Sequence, residues 1–202
     1  MRVENIEARF IVAARTHVAR DKDVREYLKG ACLSWRNGHV ILTATDCHTL
    51  IACRVAEGVD QFAPVILPSD LLKKIGANKG PVTCEINVTD SATHIVLEQG
   101  YATYRGLALD GCYPNWVCLV PSECSGENAQ FNGALLGRMH ESFCALHSIK
   151  RDQTERHPHL YHNGSKPAVV DMEDEDVVAI IAPRRVPTDQ PEQPAIPAWL
   201  GK

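Results

Sequence analysis

Three helical segments recur at a nearly constant interval along the chain, and this interval restricts the folds that the chain can adopt. The helices are predicted to start near Glu7, Ser69 and Asn132, which are 62 and 63 residues apart. Strand-like runs follow each helix, so the sequence predicts three strand-helix-strand units of similar length, the third with fewer strands. With 202 residues, the chain can form one large or two small domains around a hydrophobic core.

The helix boundaries are predicted from apolar residues at helical spacing. The first helix should run from about Ile6 to Arg20, and the third from about Asn132 to His147. The second should begin at Ser69, where a cap and an acidic first turn are available, and end at Gly76. The side chains of the third helix that are expected to face the core are Leu136, Met139, Phe143 and Leu146.

Strands are predicted where β-branched and apolar residues lie between turn-forming residues. Asn37-Gly38 separates the first two runs, and this pair is a strong hairpin signal because both residues tolerate a positive φ. Residues Lys150–Ser165 are polar and should form an irregular connection. The predicted strand-like runs are Leu28–Arg36, His39–Val55, Val82–Thr89, Thr93–Glu98, Tyr101–Leu109, Ala168–Met172 and Val177–Pro183.

The stretch Val40–Ala52, with the sequence VILTATDCHTLIA, carries the most informative local pattern. Two strand-like runs flank a short polar interruption, Asp46-Cys47-His48. Such a corner presents its side chains at a sheet edge, while the flanking runs hold it in place. From spacing alone there are two interpretations, a tight turn between two core strands and a functional corner.

Four segments resemble, in the same order, segments of one protein family. They are DVREYLKG at Asp23–Gly30, ATDCHTLIA at Ala44–Ala52, DGCYPNWVCLVP at Asp110–Pro121 and, more loosely, DVVAIIAPRRV at Asp176–Val186. The second segment resembles the ATDGHRLA-type segment of bacterial sliding clamps, the DNA polymerase III beta subunit. The third is similar to the family's DGRFPDYRRVLP, and the fourth to its terminal strand, which ends in MPMRL.

The resemblance implies an α+β DNA-clamp fold, built from repeated strand-helix-strand units with helices on one face of antiparallel sheets. It implies a complete clamp-like domain at residues 1–123 and a shortened second one at residues 124–186. These would correspond to the family's middle domain and to part of its C-terminal domain. Residues 187–202 are Pro-rich and are predicted to form a flexible tail.

Members of this family encircle duplex DNA and tether polymerases, so the resemblance implies a non-enzymatic processivity factor. Basic side chains on the inner helices would contact phosphates without reading bases, which permits sliding. An ordinary solvated helix face is the alternative for each of them, and the acidic Glu26 weakens the match in its segment. The candidate DNA-binding residues are Arg15, Arg20, Lys22, Arg25, Tyr27, Lys73, Lys74 and Lys79.

The resemblance also implies an apolar groove for a short peptide motif that carries a Gln and two large apolar side chains. Anchor residues of this kind dominate the binding energy of such interfaces. Plain core packing is the alternative for each residue of the groove. The residues that match it are Leu28, Thr45, Cys47, His48, Leu50, Pro114, Leu119, Ile180 and Ala182.

The chain differs from the family in ways that suggest a second hypothesis. Cys47 and Thr49 replace a Gly and an Arg, Val117-Cys118 replaces two arginines, and Ala182 replaces a large Met, which makes that groove wall shallower. The likeness does not include the family's first domain, so ring closure would require more subunits or a partner. The alternative is a clamp-derived interaction module, of a phage or mobile element, that binds clamp ligands or a clamp without encircling DNA.

A metal or thiol enzyme is a third hypothesis, from a different functional class. Three cysteines recur every six residues, but paired ligands of structural zinc are usually about two to four residues apart. Three histidines cluster in a polar segment without a second ligand pair near them. These residues are Cys112, Cys118, Cys124, His157, His159 and His162. We expect no cofactor, no metal and no enzymatic activity.

Composition restricts the location and the partners of the protein. No apolar run approaches the roughly 20 residues of a membrane helix, and the N-terminus lacks the layout of a signal peptide. We therefore expect a cytoplasmic protein without membrane association. The net charge of −4 argues against a protein that coats DNA over its whole surface, but it allows a basic face. The partners that the resemblance implies are duplex DNA, DNA polymerase or other clamp-motif proteins, a clamp loader, and further copies of the chain in a homo-oligomer.

Overall fold

The computed structural model describes residues 1–152 and 155–185, which form two antiparallel sheets and three α-helices. The strands are β1 (Arg2–Ile6), β2 (Gly30–Arg36), β3 (His39–Thr45), β4 (Thr49–Glu57), β5 (Val65–Pro68), β6 (Val82–Val88), β7 (Thr93–Gln99), β8 (Ala102–Leu107), β9 (His159–Tyr161), β10 (Ala168–Asp171) and β11 (Val177–Ile181). The helices are α1 (Ala8–Ala14), α2 (Ser69–Leu72) and α3 (Gly133–His147). The predicted tail at residues 187–202 lies outside the described residues.

The two sheets differ in size, and the larger one unites distant parts of the chain. The smaller sheet has the strand order β1-β6-β7-β8, and the larger one has the order β5-β2-β3-β4-β11-β10-β9. Strand β11 pairs with β4 so that Ile180 lies opposite Leu50 and Ile181 opposite Thr49. One sheet thus contains strands from both predicted domains, while the division near residue 123 itself stays a prediction.

Tight turns connect the strands where the sequence predicts them. Asn37 and Gly38 have φ values of 50° and 86°, as a two-residue hairpin between β2 and β3 requires. Residues 46–48 connect β3 to β4, and residues 172–176, which include the acidic run Glu173–Asp176, connect β10 to β11. The predicted hairpins are therefore confirmed.

The helices begin where predicted, but only α3 has the predicted length. Asn132 caps α3, since its Oδ1 accepts a hydrogen bond from the Ala134 N–H at 2.9 Å. Helix α1 ends at Ala14 and continues as a 3-10 turn over Arg15–His17. The chain then turns away because the Ala19 N–H donates to the Leu28 carbonyl at 2.8 Å. Helix α2 is a single turn, so the predictions of helix to Arg20 and to Gly76 are wrong.

Apolar side chains from both sheets and all three described helices form one hydrophobic core. Helix α1 packs beside α3, and Met139, Phe143 and Leu146 of α3 are buried as predicted. Leu136 is 39% exposed, so its predicted place in the core is wrong, and Leu135 contacts the core instead. No described helix combines the length and the apolar character that spanning a membrane would need.

Candidate functional site

Asp46 fixes the turn between β3 and β4. Its Oδ1 accepts hydrogen bonds from the backbone N–H groups of His48 at 3.0 Å and Thr49 at 2.8 Å, as in an Asx turn. Its Oδ2 accepts a hydrogen bond from Nη1 of Arg138, which projects from α3. Burial raises the pKa of the Asp46 carboxyl, but these hydrogen bonds outweigh burial and hold the pKa below its usual value. The carboxylate is therefore ionised at neutral pH and keeps the turn in one conformation.

Cys47 occupies the tip of this turn in an unusual backbone conformation. Its φ is 71°, in the left-handed region that favours glycine, and its side chain is exposed. The Cys47 Sγ lies 3.0 Å from Nη1 of Arg25, and Arg25 also forms an ion pair with Asp23 at 2.8 Å. The side chain of Arg25 therefore links the loop that follows α1 to the β3–β4 turn.

Leu50 and Ile180 form a small apolar cluster on the face of the larger sheet that points away from the main core. They are 2% and 4% exposed, and Ala52 completes the buried part of the cluster. Trp116 packs against this cluster from the segment Asp110–Pro121. Two predicted groove residues from distant segments are thus neighbours, and Ile41, Trp116 and Val169 pack against their cluster.

The segment Asp110–Pro121 is held to the larger sheet by Tyr113. The Tyr113 hydroxyl accepts a hydrogen bond from the Thr45 N–H at 3.1 Å and donates to the Gly30 carbonyl at 3.4 Å. Burial raises the pKa of the Tyr113 phenol well above its usual value, so it stays neutral. Gly111 has a φ of 130°, and a Cβ there would lie 2.8 Å from Cβ of Tyr27. Only glycine allows this close approach.

Two open clefts lie beside the turn. One, of about 580 Å³, is lined by His48, Leu135 and Ala182, together with Asn132, Pro183 and two arginines, Arg184 and Arg185. The other, of about 430 Å³, extends from His48 and Leu135 towards the loop that follows α1. His48 is exposed at the rim, and its carbonyl accepts a hydrogen bond from the Ala182 N–H at 2.8 Å.

Four of the other predicted groove residues, Thr45, Pro114, Leu119 and Leu28, do not line these two clefts. Thr45 is buried and ends β3 opposite Leu50. Pro114 is half-buried and lines a separate cleft of about 420 Å³ with Trp116 and Trp35. Leu119 is 47% exposed, and Leu28 is fully buried without a place in the Leu50 cluster. The nine residues therefore do not line one open cavity.

The candidate DNA-binding residues fall into two groups. Arg20, Lys22, Arg25 and Tyr27 lie in the loop after α1, where Arg20 and Lys22 are exposed. The second group lies around α2: Lys73, Lys74 and Lys79 are exposed, and Arg15 reaches the same place. Nη1 of Arg15 donates to the Ile75 carbonyl at 2.9 Å. Lys73 Nζ lies 3.3 Å from Asp70, an exposed pair that contributes little to stability.

Sequence reasoning missed three side chains that shape the site. Arg138 lies on α3, almost a hundred residues from the turn that it binds, so no local pattern indicates the pair. Tyr113 and Trp116 lie within a matched segment, and an aromatic pair beside Pro114 could have indicated packing on a sheet face. Their partners on β3, β4 and β11 become visible only in the fold.

The cysteines and histidines of the metal hypothesis do not converge. Among residues 1–152 and 155–185, no three His, Cys, Asp or Glu side chains are grouped so that they could hold a metal ion. His162 Nδ1 accepts a hydrogen bond from the Ala129 N–H at 3.1 Å, and its ring packs edge-on against Phe131. The segment that carries Cys112 and Cys118 is irregular, with a 3-10 turn over Val117–Leu119, and both thiols are exposed.

The fold is similar to those of bacterial sliding clamps. The sliding clamp of Bacillus subtilis matches with a TM-score of 0.65 at 14% sequence identity, over 93% of this chain and 65% of the clamp. The DNA polymerase III beta subunit of Pseudomonas aeruginosa matches with a TM-score of 0.65 at 18% sequence identity, over 92% of this chain and 66% of the beta subunit. The DNA polymerase III beta subunit of Borrelia burgdorferi, in complex with a natural product, matches with a TM-score of 0.65 at 13% sequence identity. This match covers 93% of this chain and 65% of the beta subunit.

The chain spans about two thirds of the length of these clamps. No protein-family model matches it, and neither does any curated protein. At sequence identities this low, the TM-scores establish a common fold alone, because one fold can carry several functions. The predicted resemblance and fold class are confirmed, and the chain has the DNA-clamp fold of bacterial DNA polymerase III beta subunits.

Proposed function

We propose that the protein is a sliding-clamp-like processivity factor. It would contact duplex DNA without sequence specificity and tether replication proteins through an apolar groove beside the β3–β4 turn. The observation that carries this proposal is the pairing of Leu50 with Ile180, which unites two distant segments that match the family's groove. The chain itself would catalyse no reaction, since tethering uses topology and binding alone.

The surroundings of the turn suit a short peptide with apolar anchors. Leu50 and Ile180 lie two residues along the chain from His48 and Ala182, which line an open cleft of about 580 Å³. A cleft of this size is typical of sites that accept a few side chains. His48 at the rim offers a ring nitrogen for orienting a polar group of the ligand, such as a Gln side chain. Trp116 packs against the cluster together with Ile41 and Val169, so rotation of its indole ring would make part of the cluster accessible to a ligand.

The distribution of cations supports contact with phosphates. Exposed basic side chains occur in the loop after α1 and around α2, with Arg20 and Lys22 in the first group and Lys74 and Lys79 in the second. Contacts of this kind neutralise phosphates, release counterions and leave base edges unread. Binding should therefore be independent of sequence and weaken strongly with salt.

A clamp-derived interaction module is the second candidate function, and the engagement of several cations favours it. Arg25 is paired with Asp23, Lys73 with Asp70, and Arg15 with backbone carbonyls, so fewer positive charges are free for DNA. Such a module would bind clamp ligands, or a clamp, without encircling DNA. Closure into a ring of several copies and a clamp loader as a partner belong to the first candidate only.

Titration with a labelled clamp-motif peptide, carrying one Gln and two large apolar side chains, tests the groove. The full chain should bind the peptide, and His48→Ala and Leu50→Ala should each weaken binding by about tenfold or more. Leu107→Ala, at an exposed apolar position on β8, is the matched control and should bind like the wild type. Circular dichroism verifies that each variant is folded. Absence of binding by the folded wild type would refute the groove.

Measurements of the oligomeric state and of duplex binding separate the two candidate functions. Small-angle scattering and gel filtration should reveal a closed oligomer with a central hole for a processivity factor, and a compact monomer or dimer for a module. Titration with a short duplex should give an affinity that falls steeply with salt for the first function only. Peptide binding without duplex binding would establish the module.

A further inference from the structure

The two clefts beside the turn are parts of one continuous surface, which we call the trough. Both are lined by His48, Asn132 and Leu135, so the two clefts adjoin at these three residues. One end of the trough is formed by the loop after α1, with Arg20 and Lys22. The opposite end is formed by the residues that follow β11, Arg184 and Arg185.

The trough is strongly positive, although the chain as a whole carries a net charge of −4. Among the residues that the structure describes, six basic side chains line it, against two carboxylates, Asp23 and Asp46. Both carboxylates are already bound, Asp23 by Arg25 at 2.8 Å and Asp46 by Arg138. The Asp23 pKa is lowered, chiefly by its hydrogen bonds with Arg25, so it stays ionised and neutralises that guanidinium.

The four basic residues at the two ends of the trough remain available. Arg20, Lys22, Arg184 and Arg185 are exposed, and none forms an ion pair with another residue of the described ranges. Between them, the floor combines small or apolar side chains with polar ones. The small or apolar ones are Ala19, Ala134, Leu135, Ala182 and Pro183, and the polar ones are His48, Asn132 and the Asp46–Arg138 ion pair. The surface thus passes from one cationic end, over a floor that is most apolar at Leu135, Ala182 and Pro183, to a second cationic end.

We propose that the trough binds an extended segment of a partner protein in which apolar side chains are flanked on both sides by acidic residues. The proposal rests on the proposed function, since it concerns the same groove, and it specifies the chemistry of the partner. Carboxylates at both ends of the segment would meet the two free cation pairs, and the apolar side chains would lie on the floor. A nucleic acid suits this surface less well, because the apolar part of the floor offers nothing to an evenly charged phosphate backbone. Contact with a duplex would then fall chiefly to the exposed cations around α2.

The charges should act mainly on selectivity. Each exposed ion pair adds only a small factor in affinity, but four together should favour an acidic segment over its neutral analogue by about tenfold. Because the pairs are exposed, this preference should shrink as ionic strength rises and the Debye length falls below about 8 Å. The contribution of the apolar floor should be insensitive to salt.

Fluorescence anisotropy with three labelled probes tests the proposal on the full chain. The first probe is a short peptide with a central Leu-Leu pair flanked by aspartates, the second has asparagines in place of the aspartates, and the third is a short DNA duplex. The wild type should prefer the first probe to the second by about tenfold. The double variants Arg20→Gln/Lys22→Gln and Arg184→Gln/Arg185→Gln should each remove about half of this preference on a logarithmic scale. Arg105→Gln, an exposed cation on β8 outside the trough, should leave it unchanged.

The outcomes distinguish this proposal from the one on which it rests. Equal affinity for the two peptides would overturn the acidic selectivity while the groove itself stands. Absence of binding by both peptides would overturn the groove and the selectivity together. Binding of the duplex alone, weakened by Arg184→Gln/Arg185→Gln, would overturn the proposal by identifying phosphate as the ligand of the trough.

Discussion

His17 should make the protein sensitive to acid. Its side chain is fully buried where α1 meets α3, and its Nε2 lies 2.7 Å from the Ser142 hydroxyl. Its Nδ1 has no hydrogen-bond partner within the described part of the chain. Burial, followed by the positive charge of Arg138, lowers the pKa of His17 to about 3. The folded protein therefore keeps this imidazole neutral over most of the acidic range.

The unfolded chain behaves differently, and the difference determines the sign of the effect. A solvated histidine takes up a proton below a pKa of about 6.5, whereas folded His17 does so only near pH 3. Acid thus stabilises the unfolded state selectively, and the free energy of unfolding falls by about 1.4 kcal/mol for each pH unit below about 6.5. Between about pH 6.5 and about pH 4.5 the loss should be about 2.5 kcal/mol.

Urea denaturation followed by circular dichroism at several pH values measures this loss. Over the same range, His17→Gln should lose about 2.5 kcal/mol less than the wild type, because glutamine does not titrate. Ser142→Ala is the matched control. It removes the hydrogen bond and should lower stability by about 1 to 3 kcal/mol at every pH, without changing the pH slope. Equal slopes for the wild type and His17→Gln would refute the assignment of a buried neutral imidazole.

Three further predictions test the packing and the surface. Met139→Ala should destabilise the protein by about 2 to 5 kcal/mol and Leu136→Ala by less than about 1 kcal/mol in urea denaturation, although both residues belong to the predicted apolar stripe. Gly111→Ala should lower the unfolding free energy by about 1 to 3 kcal/mol, because its Cβ would meet Tyr27, and a wild-type melting temperature would contradict that contact. For the proposed DNA contact, Lys79→Gln should reduce the slope of log affinity against log salt by about one, measured by anisotropy with a duplex; an unchanged slope would remove Lys79 from the interface.

Local sequence patterns predict elements whose stabilising contacts are local. Helix α3 has a capping Asn132 and a repeating apolar stripe, and both its ends were predictable. Helix α1 has an equally good stripe, but it tightens into a 3-10 turn after Ala14, and Val18 is already extended, with a ψ of 150°. The Ala19 N–H then pairs with the Leu28 carbonyl across the loop. The order of the strands in the larger sheet was also beyond local reasoning, since β4 pairs with β11 across more than a hundred residues.

In the candidate site, too, local sequence patterns do not predict which side chains from distant segments come into contact. The family resemblance predicts Leu50 and Ile180 as groove residues, and the register of β4 and β11 places them directly opposite each other. The packing of Trp116 against this pair and the ion pair of Asp46 with Arg138 depend on the tertiary structure, and no spacing of residues along the sequence indicates them. Leu28 and Leu119 match the family's pattern equally well, yet one is buried elsewhere and the other is exposed. A motif therefore identifies candidate residues, and only the fold determines which of them share a surface.

Mapping of backbone amide chemical shifts by NMR during titration with the clamp-motif peptide tests the central claim most directly. The claim is that a short apolar peptide binds beside the β3–β4 turn. We expect the largest shifts at Cys47–Leu50 and Ile180–Ala182 and at Trp116, with little change in β6, β7 and β8. Shifts concentrated in the smaller sheet, or no shifts at saturating peptide, would contradict the account.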